Sequence, residues 1–276
     1  MGATTTTEGQ SDQQGSLALW WRGRYGVRLL LEICLVVGLL TTYMRVRQWT
    51  RGDLRAAFRN TREVIHFERW IGLPFEDDLQ RALLHHPELV RLLNHYYLWF
   101  HFPVAVGLLV WLYWRHNDHY FYTRRLMAVV TFAALVMHVA YPLAPPRMMP
   151  GFVDTMFRYG PSIYTRNTLE GAANQIAAMP SLHFGWAVIA AMAVVQVFKT
   201  RWRYLAVLHP ILMATAILAT ANHWWVDAAA AGLIILLCWA VAKIVSRLLA
   251  TREQQRWDDR AYTPVSTNAA SSKISY

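Results

Sequence analysis

Asn174-Gln-Ile-Ala-Ala-Met-Pro-Ser-Leu-His-Phe-Gly-Trp-Ala-Val-Ile-Ala-Ala-Met-Ala-Val-Val-Gln-Val-Phe198 carries a polar connection into an uninterrupted apolar run. No charged residue follows His183 until Lys199, so the run reads as a membrane-span candidate. Pro180 and Ser181 are residue types favoured at a helix start. A helix start presents unpaired N–H groups and the positive end of the helix dipole, which suits an anion. His183 stands one step inside, where its imidazole can exchange a proton with a bound group.

Outward from this stretch, similar runs recur. Downstream, Tyr204 to Ala221 is apolar, the Asn222-His-Trp-Trp225 turn interrupts it, and a further run covers Val226 to Leu249. Upstream, Leu126 to Leu143 runs into Tyr141-Pro-Leu-Ala-Pro-Pro-Arg147, whose prolines must end a helix. His95 to Trp114 precedes it, and Val27 to Met44 comes first. That first run has a basic front but no small-residue cleavage pattern after it, so it reads as a retained span. Within it Glu32 lies four residues after Arg28, the spacing of a helix-face ion pair. Between the first two runs, Arg55, Arg59, Arg62 and Glu63 interleave with Leu54, Phe58, Ile65 and Trp70 at helical spacing. Gly72-Leu-Pro74 breaks that pattern, and Leu79, Leu83 and Leu84 begin a second short helix. Such segments lie in the membrane interface or on the bundle.

The expected fold is therefore all-α: a polytopic membrane protein, a six-transmembrane-helix bundle with interfacial amphipathic helices. Its spans are 27–44, 95–114, 126–143, 183–198, 204–221 and 226–249. Residues 1–16 read as a disordered polar tail and 251–276 as a second polar tail, leaving 17–250 as one membrane domain.

The composition agrees. The chain is 55% hydrophobic and only 16% charged, outside the range of an ordinary soluble domain. Its net charge of +10 is nearly all arginine, since lysine occurs only at Lys199, Lys243 and Lys273. These cations flank apolar spans, so they point to an anionic membrane surface and not to nucleic acid. Cys34 and Cys238 both lie inside apolar runs and suggest neither a disulfide nor a metal cluster. Counting crossings places Arg147 to Pro180 and the His223 turn on one face. Arg115, Arg124, Arg125, Lys199, Arg201 and Arg203 fall on the other, which the positive-inside rule makes cytoplasmic. Arg45, Arg47, Arg51 and Arg55 run against that assignment, but the short loops agree with one another. The histidine-bearing face of the cell-membrane protein is thus expected to be extracytoplasmic.

On that face His223 and Asp227 stand four residues apart, a spacing that lets the carboxylate reach the imidazole. The contact fixes the ring tautomer, stabilises imidazolium and leaves the far nitrogen as nucleophile or base. His183 supplies a separate acid for a leaving group. The same three residues are also a candidate metal set, but no Cys or Glu completes it. Ser181 and Arg147 suit a phosphate instead. Arg158 and Arg166 are weaker candidates of that kind. His138 and His209 read as hydrogen-bonded bundle residues, and Trp224 and Trp225 as part of an aromatic belt.

At these residues the chain resembles a family. Pro180-Ser-Leu-His183 and His223-Trp-Trp-Val-Asp227 look like the second and third motifs of the type 2 phosphatidic acid phosphatase superfamily. With Tyr141-Pro-Leu-Ala-Pro-Pro146, they are similar to its branch containing inositol phosphorylceramide synthase, an inositolphosphotransferase. The resemblance spans roughly Arg51 to Leu249. It implies that His223 is the nucleophile and forms a phosphohistidine, that Asp227 orients it, and that His183 protonates the leaving group. It implies a metal-independent enzyme with no cofactor. Its substrate would be a membrane lipid phosphate or phospholipid, and its acceptor water, inositol or a sugar alcohol. The chain departs from the family where Leu182 replaces Gly, where Met148 follows Arg147, where the first-motif Lys is missing, and where Ala216-Ile217 stands for Ser-Arg. The cationic clamp is thin, which favours the synthase-like branch over an ordinary phosphatidic acid phosphatase. Two rival readings are a non-catalytic transporter or assembly protein of the same fold, and a metal-dependent membrane hydrolase.

Overall fold

Asp53 opens the first of the long helices by accepting a hydrogen bond from Arg55 N at 2.9 Å. The computed structural model describes residues 53–161 and 176–261, with isolated helical residues between 30 and 45. Helix α1, Leu54–Trp70, buries Ala57, Thr61, Val64 and Glu68, one stripe at helical spacing. It ends where Gly72 adopts φ +74°, a left-handed conformation that glycine takes without strain. Helix α2, Glu76–Leu84, and helix α3, Pro87–His95, follow, the latter with Pro87 in its first turn.

Helix α3 does not stop at His95. A π-helical turn, Tyr96–Phe100, carries it directly into α4, His101–Arg115. Helix α5, Asn117–Ala140, returns and is ended by Pro142. Beyond it Leu143 forms a parallel bridge with Ala177, through Leu143 N to Ile176 O at 2.9 Å and Ala178 N to Leu143 O at 3.2 Å. The bridge ties the chain before the long connection to the chain after it. A short helix α6, Thr155–Tyr159, is fixed to α2 and α3. Gln80 exchanges two 2.8 Å hydrogen bonds with Val153, and the buried Asn94 donates to Thr155 O and Gly160 O. Helix α7, Leu182–Val197, then α8, Leu208–Ala219, and α9, Trp225–Ala261, complete the order, with a 3₁₀ turn at Arg201–Val207 before α8.

Helix α7 is the axis of the bundle, packing against α8, α5, α9 and α4. Its buried residues include Gly185, Ala187, Ala190, Ala191 and Ala193, small enough for neighbouring backbones to come close. The outward faces of the surrounding helices expose Phe132, Ile211, Leu236 and Val241, as helices do that meet lipid.

The span count is met in part, and two expectations need correcting. Among the described residues four helices are long and apolar enough to cross a membrane: Pro87–Arg115, Asn117–Ala140, Arg201–Ala219 and Trp225–Glu253. Helix α7 has 16 residues and falls short of that length, and part of 27–44 lies outside the described residues. Residues 251–261, read as part of a polar tail, continue α9, while 1–16 and 262–276 lie outside the described residues. Trp224, assigned to an aromatic belt, is fully buried and donates its Nε1–H to Ala144 O at 2.8 Å. A bulky ring with one donor makes a good core anchor when a carbonyl is in reach. Glu32 also has partners that lie far away in sequence. It accepts from Tyr120 Oη at 2.9 Å and pairs with Arg124, both on α5, whereas Arg28 lies outside the described residues.

Candidate active site

The site begins where α8 ends. Asn222 N donates to Ile217 O at 2.9 Å and Ala221 N to Leu218 O at 3.0 Å, the paired bonds of a Schellman motif. Ala221 sits in the left-handed region at φ +59°, where glycine is usual. This tight reversal also brings His223 N onto Ile217 O at 3.0 Å, so the histidine backbone is fixed by the helix it leaves.

Its side chain is fixed by the helix that follows. His223 Nδ1 lies 3.0 Å from Asp227 Oδ2, which also accepts from Trp224 N at 2.9 Å. The contact spans the start of α9, since His223 and Trp224 precede its first residue, and does not run along a helix face. Asp227 is fully buried and His223 is 6% exposed. With Nδ1 committed to the carboxylate, Nε2 is the nitrogen left to act.

Helix α7 is anchored to the same place. Ser181 N donates to Asp227 O at 3.0 Å, and Ser181 Oγ accepts from Phe184 N at 3.4 Å as the helix cap. Ser181 is fully buried, so it contributes the position of the helix start, and Pro180 precedes the cap. Two residues on, His183 presents its ring with its centre 6.4 Å from that of His223. The buried Tyr97 stacks on His183 at 4.1 Å. Arg147 reaches the site edge through Nη1, which donates to Asn222 Oδ1 at 2.6 Å, while its own N donates to Ala221 O at 2.9 Å. His223, Asp227, His183, Ser181 and Arg147 are therefore brought together. Arg158 is exposed and stacks over Tyr159, and Arg166 lies outside the described residues.

Sequence reading missed the contribution of the π turn. Tyr97 lies in it and His101 just after it. The His101 ring is 3% exposed, its centre 5.0 Å from that of His183, and its Nδ1 has no hydrogen-bond partner among the described residues. A π insertion has no period to betray it in a sequence, and such turns concentrate at functional sites. His209 bonds the Tyr96 hydroxyl at 2.5 Å, as a bundle histidine should.

Two buried acids were missed as well. Glu76 Oε1 accepts from Trp225 N at 3.1 Å, and Glu68 Oε1 accepts from Val226 N at 2.8 Å. Together with Asp227 they satisfy three successive N–H groups at the start of α9. Burial, then the neighbouring Glu76 carboxylate, pushes the Glu68 carboxyl up to about 8, and burial raises Glu76 too. The Glu68 position read as part of an amphipathic surface, because helical spacing does not show that another helix ends on it. Among the described residues no group of three or more His, Cys, Asp or Glu is arranged to hold a metal ion.

Comparison with curated proteins and with solved structures gave no significant match in either set. The family model described as the PAP2 superfamily matches residues 62–241, which is more than half of the chain and contains every site residue named above. That interval holds both histidines, their buried aspartate and the segment carrying Arg147, and on it the chain belongs to the PAP2 superfamily.

Proposed function

We propose that this protein, a member of a superfamily of membrane phosphatases, acts on a lipid phosphate or phospholipid through a phosphohistidine on His223. One observation carries the reading: an imidazole oriented by a buried carboxylate faces a second imidazole across 6.4 Å between ring centres. That spacing suits one tetrahedral phosphoryl group held between the two. His223 Nε2 forms a bond to phosphorus as the bond to the leaving oxygen breaks. The electron pair goes to that oxygen, and His183 supplies its proton. Asp227 holds the Nδ1 proton and stabilises the positive ring. Water or an alcohol then attacks phosphorus, gives its proton to His183 and releases His223. Arg147 and the start of α7 neutralise the phosphate oxygens.

A lipid substrate is supported by an apolar groove of about 710 Å³ lined by Phe184, Val188, Met192, Ile211, Leu218 and Trp225. Phe184 follows His183 in the chain, and Trp225 lies two residues beyond His223, so an acyl chain in the groove would bring its headgroup to the histidines. The synthase-like motif pattern supports an alcohol acceptor, inositol or a sugar, beside water. Glu32 meets Arg124 at the end of α5 farthest from Tyr141. That supports a first span beginning on the face opposite His223, hence the six-span, extracytoplasmic arrangement. The test is turnover of purified protein on a panel of lipid phosphates and diphosphates, and on phospholipids with inositol. Released phosphate identifies water as acceptor, and a phosphoinositol product identifies transfer. Full activity in His223→Ala would sink the mechanism, and loss in chelator would move the reading to a metal-dependent hydrolase. No turnover of any lipid, with His183→Ala and Asp227→Ala without effect in the cell, would favour a transporter or assembly role.

A further inference from the structure

Three acids gather at the start of α9, yet the phosphoryl-transfer scheme uses only Asp227. Glu68 and Glu76 come from α1 and α2, and both are at least 98% buried, at 2% and 0% exposure. Each passes one oxygen to α9, to Val226 N and Trp225 N. The second oxygen of each is buried with no donor among the described residues, and the two carboxyls hold adjacent N–H groups of one helix start. Two ionised carboxylates cannot stay in that arrangement, because each would be buried beside a like charge. One proton between them resolves both problems: it removes a charge and supplies the missing donor.

We propose that Glu68 and Glu76 share one proton, carried by Glu68, and act as positioning residues that hold the start of α9 so that Asp227 meets His223. Glu76 is the better anion of the two. It lies at the N-terminus of α2, accepts from Trp225 N, and receives the proton of Glu68. Glu68 has a single backbone donor, Val226 N. The other charges nearby do not replace the proton. Asp227 adds negative charge, the Arg69 guanidinium lies over the Phe75 ring at 4.7 Å, and Asp77 and Asp78 pair with Arg81 on the exposed side of α2. Loss of the proton puts a second buried charge beside Asp227 and sets the two carboxylates against each other. The strap on Trp225 and Val226 then loosens, and Asp227 loses its register with His223.

Burial places the Glu68 titration at about 8, against 4.5 for a free glutamate. A carboxyl raised in the fold stabilises it fully below the unfolded value and loses that contribution as pH rises through the folded one. The window therefore runs from about 4.5 up to about 8. The experiment compares the full-length protein in nanodiscs with Glu68→Gln, whose amide offers an acceptor to Val226 N and a donor to Glu76 at every pH. Infrared difference spectra between neutral and alkaline pH should show the carbonyl band of a protonated carboxylic acid. In the wild type it titrates near 8, and in Glu68→Gln it is missing. Turnover on the lipid phosphate found active in the panel supplies the second readout. The ratio of Glu68→Gln to wild-type rate should be near one at neutral pH and rise by about tenfold per pH unit above the midpoint. Glu68→Ala, which leaves Val226 N without an acceptor and Glu76 without the shared proton, should lose at least about tenfold at all pH values.

The positioning role rests on the phosphoryl-transfer reading, and the two fail differently. Full turnover by His223→Ala would end that reading while the infrared band still reports the shared proton. An inactive His223→Ala with a flat Glu68→Gln ratio, or a band unchanged in Glu68→Gln, would overturn the inference alone.

Discussion

Asp227 satisfies two donors through one oxygen, Trp224 N and His223 Nδ1, and its backbone carbonyl takes Ser181 N. One residue thus sets the His223 tautomer and locks α7 to α9. Asp227→Asn preserves the size of the group but puts an amide donor or a weaker acceptor against Nδ1. It should fold and lose roughly 10²- to 10⁴-fold in kcat with little change in KM, measured on the active lipid substrate. Ala221 makes the opposite kind of prediction. Its φ of +59° is tolerable for alanine and poor for a β-branched side chain. Ala221→Val should lower unfolding stability by about 1–2 kcal/mol, while Ala221→Gly should hold or raise it, both read from thermal unfolding in detergent.

The elements meet at Ala144 and Trp224. Trp224 Nε1 donates to Ala144 O, and Thr61 Oγ1 accepts from Ala144 N at 3.1 Å, so α1, the proline segment and the start of α9 are joined in one buried network. Trp224→Phe keeps an aromatic ring but removes the donor and leaves a small cavity at a fully buried position. A loss of about 1–3 kcal/mol and a parallel fall in activity are expected, read by thermal unfolding and turnover. Much of this level was legible in the sequence. Apolar runs gave most spanning helices, Pro142 gave the end of α5, and the His223–Asp227 spacing gave the carboxylate contact. What was not legible has physical causes. The π turn at Tyr96–Phe100 rotates the helix face that carries Tyr97 and His101, and no residue pattern announces such an insertion. Glu68 and Glu76 look like ordinary charges on amphipathic helices, and only tertiary packing shows that they cap α9. Trp224 and Trp225 share a residue type with membrane-interface belts, but Trp224 faces the core because Ala144 O lies within reach. Helix α7, with 16 residues packed among its neighbours, is shorter than a lipid-matched span.

At the scale of the molecule, four candidate spans among the described residues surround a short central helix whose start lies at the site, and apolar faces look outward. The protein should stay in membranes washed with high salt or alkaline carbonate and leave them only with detergent. The proposed sidedness is testable by labelling. With Cys34 and Cys238 replaced, Arg158→Cys should react with an impermeant maleimide added to intact cells, and Asp118→Cys only after lysis. The reverse pattern would place the histidines on the cytoplasmic face and leave their geometry untouched. The central claim concerns the bond made at His223. Its most direct test is rapid acid-free quenching of the protein during turnover of a phosphate-labelled lipid, followed by mass spectrometry of the peptide holding residues 217–230. The account predicts a phosphoryl group on His223 that is stable to alkali and lost in acid, greater in Asp227-intact protein than in Asp227→Asn and missing in His223→Ala. Turnover at full rate with no phosphate on that peptide, or with the label on another residue, would contradict it.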